Sequence, residues 1–398
     1  MSEKRYQGNI ISKTPVAPAD GFADTPAPGV WSLAEALTYT KAGIWPTLSN
    51  GIAEVTLFMG GRISDGSTKT DTVDKVIIGT TGTPTDYGDL SEAKYNGASG
   101  GNTVRAVYMG GTGNTTYETG IDYLVYATGG SASNFGSLGV GSTNSNMGQL
   151  SNPVRTLIVP YESGVTPGVI RYINPSTTGN DIDFGTLGYT TAIGSMASCA
   201  SAVRGIIAGG YNGSSYENTI HYVDTATGGT TTNFGDLTIQ VYASCMAASA
   251  TRGVNAGGAL ISGSKVNTID YITIASTGNA TDFGDLSENL GYGGAASSST
   301  RAVAMFTYGT SGNNNKMEYV TISSTGNSTD FGDLTFVSAA SWACATSNKI
   351  KALIVSANNN NVIQQLTIAT TGNTTDYGDL TDAAYGGGAT SDSHGGLS

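Results

Sequence analysis

Thr81-Gly-Thr-Pro-Thr-Asp-Tyr-Gly-Asp-Leu90 and Thr371-Gly-Asn-Thr-Thr-Asp-Tyr-Gly-Asp-Leu380 are two copies of one phrase, and its recurrence decides the fold. The aromatic residue of the phrase returns at Tyr87, Phe135, Phe184, Phe234, Phe283, Phe331 and Tyr377, at intervals of 46 to 50 residues. A leucine follows three residues later each time, from Leu90 to Leu380. Self-similarity at a fixed period marks a supersecondary unit that buries its apolar face only against its neighbours.

Two further markers lie upstream of each phrase. Arg105, Arg155, Arg204, Arg252, Arg301 and Lys351 each open a short apolar run, as in Arg204-Gly-Ile-Ile-Ala-Gly-Gly210. A third run carries a tyrosine at a fixed place (Tyr123, Tyr172, Tyr222, Tyr271, Tyr319). Ile269-Asp-Tyr-Ile-Thr-Ile274 alternates apolar and polar residues with period two, the pattern of a strand. One copy therefore reads as four strands: Gly293 to Ser299, Arg301 to Thr307, Lys316 to Ser323 and Thr329 to Leu334, with Gly- and Asn-rich turns between them.

The first strand is built of small residues, as in Ala197-Ser-Cys-Ala-Ser201 and Ala243-Ser-Cys-Met-Ala-Ala248. Strands that converge on an axis leave room only for such side chains, whereas outer strands need aromatics to fill the widening wedge between sheets. The first copy starts at Ile52 to Gly61 with the second-strand pattern. The segment missing there returns after the last phrase as Ala384-Tyr-Gly-Gly-Gly-Ala-Thr-Ser391. The sequence thus predicts an all-β fold, a seven-bladed β-propeller over residues 51–398 closed by its C-terminal strand. An N-terminal arm of residues 1–50 precedes it.

The double glycines that end the second strand (Gly110-Gly111, Gly209-Gly210, Gly257-Gly258) make residues 51–398 resemble kelch propellers. So do the tyrosine of the third strand and the aromatic of the fourth. Phe or Tyr stands on the fourth strand where kelch blades carry tryptophan, so the resemblance implies fold and strand order only. The arm holds Gly29-Val-Trp-Ser-Leu33 and Ala42-Gly-Ile-Trp-Pro46. With the recurring phrase, these segments resemble structural proteins of marine and cyanophage-type bacteriophage virions. That resemblance implies a virion location and a peripheral appendage such as a tail fibre or capsid decoration, in contact with a host surface or a neighbouring subunit.

In the arm, Pro15, Pro18, Pro26 and Pro28 imply an extended course, followed by a short helix opened by Ser32 and Glu35 in a capping-box pattern. Trp31, Leu33, Leu37 and Trp45 are its anchoring candidates. They are suited either to packing on the propeller or to docking into other virion proteins.

Composition narrows the function. Only 12% of the 398 residues are charged and 57 are Gly, which favours turns and short strands over helices. A net charge of −12 with only 18 Lys and Arg disfavours nucleic acid as a partner. No apolar run reaches the roughly 18 residues of a membrane span, so no membrane insertion is expected.

His221 and His394 are the only histidines, and Cys199, Cys245 and Cys344 match no zinc spacing, so no cofactor and no enzyme activity are expected. Gly97-Ala-Ser-Gly-Gly101 has the form of a hydrolase elbow without its strand-to-helix context. The recurring pairs Asp86/Asp89, Asp282/Asp285, Asp330/Asp333 and Asp376/Asp379 suit turn-shaping better than calcium ligation. The recurring cations are expected to pair with those aspartates. Two readings remain, a non-enzymatic virion structural protein and a carbohydrate-binding lectin or adhesin for a host-surface glycan. The second would use tyrosines of one loop face: Tyr117, Tyr211 and Tyr216.

Overall fold

The computed structural model describes residues 54–393 apart from 64–66, 81, 115–116, 140–143, 153, 162–167, 190–192, 202, 337–343 and 356–360. The arm, with its expected helix and with Trp31, Leu33, Leu37 and Trp45, lies outside the described residues, as does His394. The chain divides into two units, Met1–Glu54 and Val55–Ser398, and the sheets all belong to the second.

The described residues form an all-β fold of antiparallel strands paired in sequence order. Four sheets have four strands each, one has five and one has eight. A typical four-stranded sheet runs Ala197–Ala200, Arg204–Ala208, Thr219–Asp224 and Thr232–Asp236. The eight-stranded sheet carries the same pattern twice. The fourth strand of the fifth repeat and the first strand of the sixth run on as one strand of 17 residues, Thr281–Ser297. Sequence reading breaks this strand near Leu286, but its hydrogen bonds continue to partners on either side.

The first repeat takes its first strand from the far end of the chain. Gly388–Ser391 pairs antiparallel with Val55–Ile63, Met59 opposite Gly388 and Thr56 opposite Ser391, and Ala384–Tyr385 extends the pairing. Packing between sheets follows the same order. First strands touch their sequence neighbours one after another, and Gly388–Ser391 contacts both Ala98–Gly101 and Cys344–Ser347.

The recurring phrase folds as a bulged outer strand. At the third–fourth pairing the register slips by one residue at the same place in all seven copies, for instance between Val73 and Asp74 and between Ile269 and Asp270. A bulge leaves one residue unpaired and re-aims its side chain. Here that residue is the phrase aromatic, which is buried in every copy. In the second to sixth copies it meets the third-strand tyrosine edge-on, at 5.7 Å for Tyr172–Phe184 and 5.8 Å for Tyr271–Phe283. The next residue is a glycine with positive φ, and a Cβ on it would strike the following repeat's turn: 2.1 Å from the Gly229 oxygen at Gly185, 2.5 Å from the Gly326 oxygen at Gly284. The last copy meets the first in the same way, a Cβ on Gly378 falling 2.9 Å from the Gly82 oxygen.

Candidate functional site

Two devices join one repeat to the next, and among the described residues the first spans five junctions, from the second repeat to the seventh. The first is the cationic series. Arg252 lies over its own repeat's Tyr271, 4.3 Å from the ring centre, and donates to the Ile322 carbonyl of the next repeat at 2.8 Å. Arg105, Arg155, Arg204 and Arg301 do the same, reaching the carbonyls of Pro175, Thr225, Ile274 and Ile368. This corrects the expected pairing with fourth-strand aspartates. A guanidinium satisfied by a ring face and a carbonyl avoids the cost of fixing two charged side chains in register. Asp86, Asp282 and Asp330 instead accept the amides of the glycines two residues on, which shapes the bulge.

The second device is a buried polar residue on the third strand that grips the chain just after the preceding repeat's leucine. Asp270 accepts from the amide and hydroxyl of Thr238, and Asp74 from those of Thr381, which joins the last repeat to the first. Burial raises the carboxyl pKa of both. Glu318 holds Ser287, and Asp122 holds Ser91 while paired with the buried Lys94 at 2.8 Å. Gln364 bonds both backbone groups of Phe336. Arg171 donates to the Gly139 carbonyl, and Asp181 accepts the Gly139 amide.

His221 completes the series. Its Nδ1 meets the Thr231 hydroxyl at 3.0 Å, which takes the Gly188 amide at 2.6 Å. Burial drives its pKa down to about 4, so the ring is neutral near pH 7.

The first strands line an open cavity of about 270 Å³, with Ser99, Gln149, Ser198, Ala247, Ala295, Thr346 and Thr390 in its wall, one from each repeat. Ser99 of the elbow-like motif donates its hydroxyl to the Ala389 carbonyl, and Ser198 donates to that of Gln149. The Cys199 thiol, also in the lining, is pushed up to about 12 by burial. These hydroxyls stitch neighbouring strands.

Of the tyrosines expected at a loop face, Tyr117 is 44% exposed in the hairpin of the second repeat. Tyr211 and Tyr216 are half-buried, and they pair across the fourth repeat's hairpin with rings edge-on at 5.4 Å. That hairpin is rigid: Asn212 Oδ1 accepts the amides of Ser214 and Ser215, and its Nδ2 donates to Glu217. The structure brings three tyrosines to this pair that sequence reading missed. Tyr216 lies 4.4 Å from Tyr242, Tyr242 5.7 Å from Tyr292, and Tyr292 6.0 Å from Tyr308. The Tyr242 and Tyr292 hydroxyls are hydrogen-bonded to each other. Burial is the main cause that pushes the phenols of Tyr216 and Tyr242 up to about 12.

The ammonium of Lys265 sits 5.1 Å and 5.2 Å from the ring centres of Tyr292 and Tyr308. Tyr292 takes φ +56°, where Asn96, Ser195, Ala243 and Gly386 stand in other repeats. A bulky residue in that conformation costs about 1–3 kcal/mol and recurs at functional sites. The five tyrosines and the lysine belong to second–third hairpins, second-strand ends and the connections between repeats, so they share one end of the strands.

No protein-family model matches the chain, and no curated protein matches its sequence. The fold and junctions define an all-β repeat protein whose most conspicuous side-chain cluster is a row of tyrosines.

Proposed function

We propose that the repeats close as a seven-bladed β-propeller and that the chain is a non-enzymatic structural component of a phage virion. In this reading it is a peripheral appendage that presents a rigid propeller for host-surface or subunit contact. Residues 1–50 are the segment that engages other virion proteins. The observation that carries the reading is the grip of Asp74 on Thr381, which repeats between the last and first copies the latch found between all others. A cavity lined by all seven first strands supports the same count. The phage assignment itself rests on the resemblance of the arm segments and of the recurring phrase to virion proteins.

Exposed apolar residues recur at one place in the repeat, before the cation: Val104, Val154, Val203 and Ile350. Repeated apolar positions at one end of the strands suit subunit packing. Mass spectrometry of purified particles is the test: the chain co-purifies with particles, and deletion of residues 1–50 releases it. Particles that never contain the chain overturn the virion reading, and a density map with another number of sheets overturns the propeller. A second reading, a carbohydrate-binding propeller, is favoured by the row from Tyr211 to Tyr308.

A further inference from the structure

We infer that the row Tyr211, Tyr216, Tyr242, Tyr292 and Tyr308, with Lys265 at its far side, is a binding site for an acidic oligosaccharide. The inference rests on the carbohydrate-binding reading above and deepens it.

Four successive ring contacts between 4.4 and 6.0 Å join side chains from three consecutive repeats, so the row is continuous. Tyrosine offers a flat apolar face with a hydrogen-bonding tip at little entropic cost, because only two torsions need fixing. A pyranose ring has the complementary surface: one face of C–H groups, and a rim of hydroxyls. Tyr211 and Tyr216, at the near end of the row, stand on a hairpin locked by Asn212, so little ordering remains to be done on binding.

The acidic preference comes from Lys265. The residue is 9% exposed, yet among the described residues its ammonium donates only to the Gly263 carbonyl, at 2.7 Å, and otherwise faces two rings. Among the described residues no carboxylate is paired with it, and burial lowers its pKa. A nearly buried cation without a counter-charge gains from any anion that reaches it. A carboxylate or sulfate on a sugar whose neighbours stack on the tyrosines provides that charge.

The test is an array on which each carboxylated or sulfated oligosaccharide is printed beside its methyl-esterified or desulfated counterpart, probed with the full chain. Acidic members bind in preference to their neutral partners. Tyr211→Ala and Tyr216→Ala weaken binding at least ten-fold, whereas Ile182→Thr, exposed on an outer strand of the third repeat, leaves it unchanged. Lys265→Gln keeps residual binding but removes the preference for the acid. Tyr216→Phe, which keeps the ring and so the packing, holds binding within about three-fold, and thermal midpoints show that the alanine variants fold. The proposal fails if no acidic oligosaccharide binds, if acidic and neutral partners bind equally, or if binding survives Tyr211→Ala and Tyr216→Ala. Each of those outcomes leaves the particle test of the virion reading untouched.

Discussion

Two glycines of nearly equal backbone geometry separate the cost of a strained torsion from the cost of a spoiled junction. Gly284, in the bulge of the fifth repeat, has φ +145°, and a Cβ on it would lie 2.5 Å from both the carbonyl carbon and the oxygen of Gly326. Gly326, in the sixth repeat's turn, has φ +153°, and a Cβ there meets nothing within 4 Å. Alanine at either position bears the same torsional penalty, about 1–3 kcal/mol. Only at Gly284 must the neighbouring backbone also move, which threatens the 2.7 Å bond from the Gly326 amide to the Phe283 carbonyl. Overpacking of this kind adds about 1–3 kcal/mol.

Gly326→Ala should therefore lose about 1–3 kcal/mol and Gly284→Ala about 2–6 kcal/mol. The larger loss is a substantial share of the roughly 5–15 kcal/mol that holds a domain together. Urea titration of both variants, read as a shift in midpoint at constant slope, makes the comparison. Equal losses, or a greater loss at Gly326, would refute the claim that the bulge glycine exists to let repeats approach.

Three further outcomes arise at the junctions. Tyr377→Phe removes a hydroxyl that donates to the Ile77 carbonyl at 2.8 Å and accepts its amide at 3.2 Å; it should lower stability by about 1–3 kcal/mol in urea melts, although Phe fills the same place in five copies. Arg252→Lys should not be conservative: an ammonium cannot both lie flat on Tyr271 and reach the Ile322 carbonyl, so a loss of more than about 1 kcal/mol is expected from thermal melts. His221 makes stability depend on pH. Its folded pKa of about 4 lies below the ordinary 6.5, so the unfolded chain takes up the proton first, and the His221 contribution is whole at pH 7 and is lost as pH falls from about 6.5 to 4. The loss is on the order of 2–3 kcal/mol. The carboxyls of Asp74 and Asp270, whose pKa values are raised, act in the opposite sense, so wild type must be compared with His221→Gln, which lacks this component.

The strand order was legible in the sequence because each feature that marks it recurs in the repeat pattern. A glycine in the phrase permits the bulge, small residues mark the first strand, and Ala384 to Ser391 repeats a pattern absent before Ile52. The bonds that join one repeat to the next were not legible. Arg252 finds its carbonyl 70 residues away, and nothing near it in the chain marks Ile322 as an acceptor. The tyrosine row was hidden for the same reason. Tyr216, Tyr242, Tyr292 and Tyr308 belong to three copies, and only packing between copies makes them neighbours. The one available signal was Tyr95, Tyr242 and Tyr385, a tyrosine recurring before the first strand.

The latch position shows why such a chain can specialise without losing its fold. At equivalent places on the third strand stand Asp74, Asp122, Arg171, His221, Asp270, Glu318 and Gln364, which differ in charge, length and donor capacity. All of them satisfy the backbone just past a neighbour's leucine, where an unpaired buried group would cost about 1–3 kcal/mol. Carboxylates accept the amide directly, His221 works through the Thr231 hydroxyl, and Arg171 takes the carbonyl while Asp181 takes the amide. Selection for the junction therefore constrains hydrogen-bond satisfaction and leaves side-chain identity free. The row from Tyr211 to Tyr308 gathers at one end of three adjacent repeats without disturbing that pattern of satisfaction.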